Sequence, residues 1–360
     1  MSTPIKKILF ISFSAGTGHK RAAEALFLTC QQKYPQIQAE HIDLLDYSSG
    51  FFKKITASLY HFSVKYLPGI YGLIYKTTDY QHFANLLNHL SKILKFNNLK
   101  LHTFVKDYSP DLIIATHFIV PAVIKDIIKS IPLDMVVTDY GLHGLWLAPN
   151  VRNFYVATPE MAIEMQNKKF KAFSTGLPIH PSFFQEKNLG ELKNKFNLNS
   201  SFPTVLIMSG GFGLKNQSNL IEKIITESPQ INLIVIAGQN NKILYKKYQK
   251  IKPSSGCNYQ IIQFSKDIDE LIKVADIIIT KPGGITITEC AFLNKKIILT
   301  DPIPGQEELN EEYFIKNGLA EKINKKQIGS QIKSLLQKSN SPRQKNEPLA
   351  NEKILDISLN

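Results

Sequence analysis

The chain alternates short, apolar, β-branched runs with segments in which apolar residues recur every three or four positions. The first pattern is typical of buried strands, and the second of helices with one buried face. Residues 8–13 form the first predicted strand, a glycine-containing turn follows, and residues 20–32 form the first predicted helix. Because strands that alternate with helices build parallel sheets with right-handed crossovers, the pattern predicts an α/β fold.

The alternation occurs twice, on either side of a stiff segment. Further strands are predicted in the first half at 37–45, 112–116, 135–138, 153–157 and 172–175, and in the second half at 204–208, 233–237, 260–264, 277–280 and 296–300. The segment between the halves contains Gly176, Pro178 and Pro181, residue types that interrupt helices and strands. The sequence therefore predicts two Rossmann-like domains, residues 1–177 and 178–338, followed by a loosely held polar tail at 339–360.

Residues 51–106 do not follow the alternation of strands and helices and form a predicted helical insert in the first domain. Phe51, Ile55, Leu59 and Phe62 have helical spacing, and so do Phe83, Leu87, Leu90 and Leu94. The insert holds eight lysines and one acid, which is over half of the net charge of +13. An apolar stripe flanked by lysines is typical of a helix that lies on an anionic membrane, although the stripes equally suit packing on the sheet.

Two glycine-rich turns follow predicted strands of the second half. One contains Gly210, Gly211 and Gly213, and the other is Lys281-Pro282-Gly283-Gly284 before a predicted helix that includes Thr286. Turns of this kind at a helix start present amide groups and the positive end of the helix dipole to an anion. Both lie at the carboxyl ends of parallel strands, where α/β sheets bind ligands. The pattern thus indicates a phosphate site.

A third segment, 301–310, follows the next predicted strand. The combination KPGG-x-T-x-x-E, ending at Glu289, with DPIPGQEE-x-N, ending at Asn310, resembles glycosyltransferases that make glycolipids. These are the monogalactosyldiacylglycerol synthases and processive diacylglycerol glucosyltransferases of family 28, which are related to the peptidoglycan lipid II synthase. The resemblance implies the GT-B architecture, in which two Rossmann-like domains face each other across a cleft.

The resemblance also implies a set of donor-binding residues in the second domain. The two glycine turns would hold the diphosphate of a UDP-sugar, Glu289 would contact the ribose, and Phe264 would lie beside the uracil. Gln306 and Glu307 would contact sugar hydroxyls; the alternative is that they form the solvated first turn of a helix. The implied donor set is Gly210, Gly211, Gly213, Phe264, Lys281, Gly283, Gly284, Thr286, Glu289, Gln306 and Glu307.

Gly18 and His19 close the first glycine turn, in the place where the family has a glycine triplet before its histidine; here the turn reads Ala-Gly-Thr-Gly-His. His19 stands at a predicted helix start, where the helix dipole favours the neutral imidazole that a general base needs. We therefore expect His19 to be the catalytic base and Gly18 to contact the acceptor. The alternative is a polar residue that caps the turn.

A second candidate group follows the strand at 135–138. Asp139 is expected to orient or polarise a base, and His143 to meet the acceptor or the sugar. Trp146, the single tryptophan, would either stack on a sugar or anchor a loop. His117, after the strand at 112–116, is a further candidate for the cleft, although a lone histidine is expected to be structural.

Composition limits the classes of protein, the cofactors and the cellular locations that are compatible with the chain. The chain is 43% hydrophobic and 20% charged, which is typical of globular proteins. Its three scattered cysteines and its histidines show no metal-ligand spacing, so we expect no metal and no cofactor besides the donor. Neither a signal peptide nor a transmembrane run of about 20 apolar residues is evident. We therefore expect a cytoplasmic enzyme, peripheral on the inner face of the membrane.

These observations lead to one main hypothesis and three alternatives. The main one is an inverting glycosyltransferase that moves a hexose from a UDP-sugar to a diacylglycerol-type lipid at an anionic membrane surface. A non-hydrolysing UDP-sugar epimerase shares the two-domain form but has no need of the lysine-rich insert. A sensor that binds nucleotide-sugars without turnover is the third possibility. A nucleic-acid binder is ranked last, because no nucleic-acid motif accompanies the basic charge.

Overall fold

The structure is a computed structural model that describes residues 4–14, 16–47, 99–128, 130–208, 216–228, 230–238, 241–253, 256–305, 307–339 and 349–360. The chain divides into two compact units. The first comprises Met1–Pro181, Ile303–Leu309 and Asn346–Asn360, and the second Ser182–Pro302 and Asn310–Lys345. Each unit has its own sheet and is described by itself.

The first unit is built on a parallel sheet of six strands within the described ranges, in the order β2-β1-β3-β4-β5-β6. The strands are β1 Lys7–Ser12, β2 Gln38–Asp43, β3 Leu112–Ala115, β4 Leu133–Val136, β5 Asn153–Val156 and β6 Ala172–Ser174. The helices between them are α1 Thr17–Lys33, α2 Leu99–Tyr108, α3 Ile119–Ile128 and α4 Pro159–Asn167. Among the described residues of this unit are also two short 3-10 helices, Leu44–Tyr47 and Gly144–Trp146, and a third, Pro181–Phe183, begins at its last residue before the second unit.

Both faces of this sheet are covered, as the apolar run of β1 requires. Because side chains alternate along a strand, Leu9 and Ile11 enter the core on one face, whereas Ile8 and Phe10 enter the core on the other. A sheet buried on both faces needs nearly continuous apolar strands, which is the pattern that the sequence shows.

The second unit repeats the design, with the strand order β12-β11-β10-β7-β8-β9. The strands are β7 Thr204–Met208, β8 Asn232–Ile236, β9 Asn258–Ile262, β10 Ile277–Thr280, β11 Lys296–Leu299 and β12 Glu321–Lys322. The helices are α5 Leu189–Lys195, α6 Ser218–Glu227, α7 Lys242–Tyr248, α8 Ile268–Val274, α9 Gly284–Phe292, α10 Glu308–Lys316 and α11 Ile328–Gln337. The two parallel sheets with their helices confirm the predicted α/β class with two Rossmann-like halves.

Several strands begin one or two residues before the apolar run that predicted them. β4 begins at Leu133 and contains the buried Asp134, and β8 begins with the buried Asn232. The Asn232 amide donates to the Thr204 hydroxyl at 3.2 Å and to the Phe202 carbonyl at 3.0 Å. Buried polar residues are tolerated because they are hydrogen-bonded, so a hydropathy pattern alone places these starts too late.

The end of the chain differs from the predicted polar tail. Residues 340–348 lie outside the described part, but Ala350–Leu359 forms helix α12, which groups with the first unit. Ile354 and Leu355 are fully buried in the core beside Ile8, Phe10 and Leu26. The prediction of a loosely held tail is therefore wrong for 349–360, because a short amphipathic segment becomes a helix when a sheet buries its apolar face.

The predicted insert at 51–106 lies outside the described residues up to position 98. Its end belongs to α2, where Leu101 and Val105 are buried in the first unit's core and Phe104 packs against it. The two apolar stripes themselves lie outside the described residues, so docking on a membrane and packing on the sheet both stay predictions for them. Within the described ranges, no helix combines the length and hydropathy of a transmembrane span.

Candidate functional site

His19 lies in the first turn of α1, directly after the strand β1 and its glycine turn. The imidazole is buried, and its Nδ1 lies 2.8 Å from the Thr116 carbonyl oxygen, at the end of β3. The Thr116 hydroxyl donates in turn to the His19 carbonyl at 2.8 Å. The Thr138 hydroxyl, which follows β4, lies 2.9 Å from the same Nδ1. The predicted base is thus held by residues from two neighbouring strands.

These contacts determine which nitrogen of His19 carries the proton. A carbonyl oxygen only accepts hydrogen bonds, so Nδ1 is the protonated nitrogen in the neutral ring and donates to Thr116. The lone pair therefore belongs to Nε2. A neutral histidine whose tautomer is fixed by a buried acceptor has the form required of a general base.

Asp139 follows Thr138 and is buried at the same edge of the sheet. The predicted pair, His19 and Asp139, is therefore brought into one region through Thr138, whose hydroxyl contacts the His19 ring. Gly18 precedes His19 in α1 and is half-buried. The catalytic roles of His19 and Asp139 and the acceptor contact of Gly18 stay predictions.

His143 directly precedes the short 3-10 helix Gly144–Trp146, and Trp146 is its last residue. His143 caps this helix, since its Nδ1 accepts from the Leu145 amide at 3.1 Å, and burial lowers its pKa below the ordinary value. Trp146 is only 1% exposed and packs edge-on against Phe118. Of the two readings of Trp146, the structure favours the anchor of a loop over a ring that stacks on a sugar.

In the second unit, the Lys281–Gly284 turn joins β10 to α9. Gly283 is the N-cap of α9, and no side chain among the described residues caps this helix start. Gly284 is buried, whereas Lys281, Gly283 and Thr286 are half-buried. An uncapped start of a nine-residue helix presents amide hydrogens and a positive dipole end, as the sequence predicted for a phosphate site.

Glu289 lies on α9 and is 1% exposed. A buried carboxylate is costly unless hydrogen-bond donors meet it, so this residue is unusual for a helix. Phe264, two residues after β9, has the opposite character, since 46% of its surface is exposed. The resemblance implied a ribose contact for Glu289 and a place beside the uracil, largely through backbone, for Phe264, and both roles stay predictions.

Glu307 directly precedes α10, in the stretch that groups with the first unit. It is 4% exposed, and its Oε2 accepts from the Ile303 amide at 3.0 Å. The alternative of a solvated helix turn is therefore wrong for Glu307. Gln306, Gly210, Gly211 and Gly213 lie outside the described residues.

Sequence reasoning missed three polar residues that hold these sites together. Thr116 and Thr138 bind His19, and Asn310, which is fully buried, donates from Nδ2 to the Pro282 carbonyl at 3.0 Å. Asn310 thereby ties α10 to the turn at the start of α9. Asn310 is the last residue of the DPIPGQEE-x-N motif, and its place in that motif was the one sequence signal that could have pointed to it.

Two family models match the chain in succession. Residues 19–179 match the monogalactosyldiacylglycerol (MGDG) synthase model, and residues 204–358 match the glycosyltransferase family 28 C-terminal domain. A processive diacylglycerol β-glucosyltransferase of Bacillus subtilis (strain 168) is 30% identical over 341 residues, covering 92% of this chain and 87% of the relative. The chain belongs to this glycosyltransferase family. The enzyme of the same name from Bacillus licheniformis is 31% identical, covering 98% of this chain and 92% of the relative.

Solved structures show the same fold at low identity. MurG of Acinetobacter baumannii superposes with a TM-score of 0.56 at 14% identity, covering 98% of this chain and 99% of that one. The UDP-GlcNAc 2-epimerase of Neisseria meningitidis, bound to UDP-GlcNAc, gives 0.64 at 14% identity, with the same coverage of both chains. The expectation of a GT-B glycosyltransferase of glycolipid biosynthesis is thereby confirmed, whereas the likeness to epimerases is one of fold alone.

Proposed function

We propose that this glycosyltransferase moves glucose from UDP-glucose to the hydroxyl of a diacylglycerol-type lipid, with inversion at the anomeric carbon. The relatives at 30–31% identity carry the name processive diacylglycerol β-glucosyltransferase, which supports this donor sugar and this acceptor. A solved neighbour bound to UDP-GlcNAc supports a uridine diphosphate donor. The observation that carries the proposal is the fixed tautomer of His19, because transfer to a hydroxyl needs a base.

The reaction follows from this tautomer. His19 Nε2 accepts the proton of the lipid hydroxyl, and the oxygen attacks the anomeric carbon of the sugar. The bond from that carbon to the β-phosphate oxygen breaks, and its electron pair leaves with UDP. A single in-line displacement inverts the configuration, so an α-linked UDP-glucose yields a β-glucoside. Asp139, beside Thr138, supports the positive charge that develops on His19.

The leaving diphosphate gains one negative charge when its bond to the anomeric carbon breaks, and the second unit offers groups that stabilise it. The uncapped start of α9 supplies amide hydrogens and a dipole, and Lys281 supplies a positive charge at the same turn. We propose that these groups replace a metal ion and that the donor is the only small molecule required. Turnover that survives saturating EDTA fits this proposal, and strict dependence on added Mg²⁺ or Mn²⁺ overturns it.

The decisive assay uses purified protein, radiolabelled UDP-glucose and vesicles that contain diacylglycerol. We expect label to enter the organic phase with the wild type and to stay aqueous with His19→Ala. Chromatography of the lipids separates products with one sugar from those with more. Omission of diacylglycerol tests the acceptor, and conversion of UDP-GlcNAc to its 2-epimer without lipid labelling would favour the epimerase alternative.

We further propose that the protein acts as a peripheral enzyme on an anionic, inner membrane face and has no nucleic-acid partner. The support is the charge of residues 51–106, where lysines accompany apolar stripes. Each lysine near an anionic surface contributes about 1 kcal/mol, so several suffice for reversible binding.

Vesicle co-sedimentation tests this docking with two matched variants of equal charge change. One carries glutamate at Lys53, Lys54, Lys92 and Lys95, and the control carries glutamate at the exposed Lys242, Lys250, Lys252 and Lys333. At low salt we expect acidic vesicles to pellet the wild type and the control but not the first variant. Equal pelleting of both variants would exclude the insert lysines as the docking surface.

A further inference from the structure

His117 directly follows Thr116 at the end of β3 and lies within a group of aromatic rings. Its centroid is 4.9 Å from that of Phe13, 4.3 Å from that of Phe118 and 4.4 Å from that of His19. The imidazole is buried. Rings on several sides pack closely against it, which restricts its rotation beside the proposed base.

The hydrogen bonding of His117 determines its protonation. The Ile119 amide donates to His117 Nδ1 at 3.1 Å, so Nδ1 is an acceptor and the proton of the neutral ring is on Nε2. Burial, and the neighbouring His19, hold the pKa of His117 well below its ordinary value. The ring that faces His19 is therefore a neutral imidazole of the opposite tautomer.

The His19 and His117 rings meet edge to face, with an angle of 72° between their planes. This geometry is the favourable one for two π-systems, because the positive edge of one ring meets the negative face of the other. Together with Thr116, His117 makes the β3–α3 turn contact His19 at its carbonyl, at Nδ1 and on its ring. Two consecutive residues thus fix both the position and the rotation of the base.

We propose that His117 is the positioning residue of His19, a neutral ring whose edge-to-face packing keeps the base aligned for proton transfer. This inference rests on the proposed function, since it concerns the same reaction. A neutral neighbour is also what the chemistry needs, because a positive charge beside His19 would oppose the imidazolium that forms when it accepts the proton. A misplacement of about 1 Å in such a group costs up to about 10²-fold in rate.

Two variants separate packing from simple structural support. His117→Asn keeps an acceptor for the Ile119 amide but removes the ring, whereas His117→Phe keeps a ring but leaves that amide without its acceptor. We expect kcat to fall about 10- to 100-fold in the asparagine variant, with KM for UDP-glucose changed less than about twofold. The phenylalanine variant should keep kcat within about threefold of wild type, although it unfolds at lower urea concentration.

The control is His41→Gln, which removes a half-buried histidine ring elsewhere in the same unit. His41 Nε2 lies 3.0 Å from the Ser12 hydroxyl, and glutamine keeps a polar group there. We expect this control to have the wild-type kcat. A purely structural role predicts that kcat follows stability, so an asparagine variant at wild-type speed, or a phenylalanine variant as slow as asparagine, overturns the proposal. A slow control overturns it as well.

A second readout does not depend on turnover. In ¹⁵N-histidine-labelled protein without substrate, His19 is assigned by the signal lost in His19→Ala and should show a protonated Nδ1. We expect His117→Asn to mix the two tautomers and His117→Phe to preserve the wild-type signal. An unchanged His19 signal in the asparagine variant contradicts the positioning role. If the wild type transferred no sugar, the proposed function would fail, while this readout would still decide the role of His117.

Discussion

Asn351 is the residue that holds the last helix of the chain on the first unit, and its removal should destabilise that unit. The side chain is 1% exposed and pairs with the backbone of Ile179 in both directions. Its Oδ1 accepts from the Ile179 amide at 2.9 Å, and its Nδ2 donates to the Ile179 carbonyl at 2.9 Å and to the Thr29 hydroxyl at 2.8 Å. Asn351→Ala therefore removes these three buried hydrogen bonds at once, together with a longer one of 3.4 Å from Nδ2 to the Ala25 carbonyl.

The magnitude follows from these contacts. Each bond contributes about 1 kcal/mol, so the free energy of unfolding should fall by about 3 kcal/mol. With a urea m-value of about 2 kcal/mol/M for a unit of this size, the unfolding midpoint moves down by about 1.5 M. Trp146 is the single tryptophan of the chain and is buried in the first unit, so its fluorescence reports the unfolding of that unit alone.

The matched control is Asn360→Ala, the same substitution at the exposed end of the same helix. Its Nδ2 donates to the Asp356 carbonyl at 2.7 Å, an exposed contact whose loss should cost less than about 0.5 kcal/mol. If α12 were a loosely held tail, both variants would unfold at the wild-type midpoint. An Asn351→Ala midpoint within about 0.3 M of the control would refute the reasoning, since that corresponds to less than 1 kcal/mol.

Three further predictions concern the two sites and a carboxylate that forms ion pairs with two lysines. His19→Ala should lower the rate of transfer about 10²- to 10⁴-fold while calorimetry shows unchanged UDP affinity; near-normal turnover would assign the base to another residue. Glu289→Ala should weaken UDP-glucose binding by about 1.5–3 kcal/mol in calorimetry, and unchanged affinity would exclude it as a ribose contact. Hydrogen bonds from Lys187 and Lys195 lower the pKa of Glu270 in the folded protein. The ionised carboxylate therefore stabilises the fold fully at a pH above the pKa that Glu270 has in the unfolded chain. This stabilisation is lost as the pH falls from there through the lowered pKa of the folded state. Glu270→Gln should therefore be less stable than wild type at pH 7, with the difference in thermal unfolding shrinking below about pH 4.5; a constant difference would contradict this.

The fold could be predicted from the sequence where local patterns suffice. The β-branched runs of β1, β7 and β10 identify strands without help from tertiary structure. Helix α12 was missed because its ten residues follow a polar, proline-containing segment. Its apolar stripe can be recognised as a buried face only when the sheet that covers it is known. The partners of Asn351 lie 172 and 322 positions away in the chain, which no local pattern contains.

The sequence predicted those residues of the candidate site that belong to a recognisable turn or motif. His19 stands out because a glycine turn links a strand to a helix, and Glu289 because a motif surrounds it. His117 was only a minor candidate for the cleft, since its partner is 98 positions away and a lone histidine has no pattern of its own. Its role emerges from the tautomers of two rings, which depend on the amide of Ile119 and the carbonyl of Thr116.

Strand order links the fold to the candidate site, and local sequence patterns do not reveal it. In the first unit β1 lies beside β3, and β3 lies beside β4, so three carboxyl ends meet at one edge of the sheet. His19 follows β1, His117 follows β3, and Asp139 follows β4. Given that order, parallel pairing requires the three residues to converge, whatever the loops between them contain. The sequence identifies each strand and each polar residue after it, but adjacency is decided by packing across the whole sheet. A base built from separate turns is therefore a property of the topology, which is why Thr116 and Thr138 could be found only in the structure.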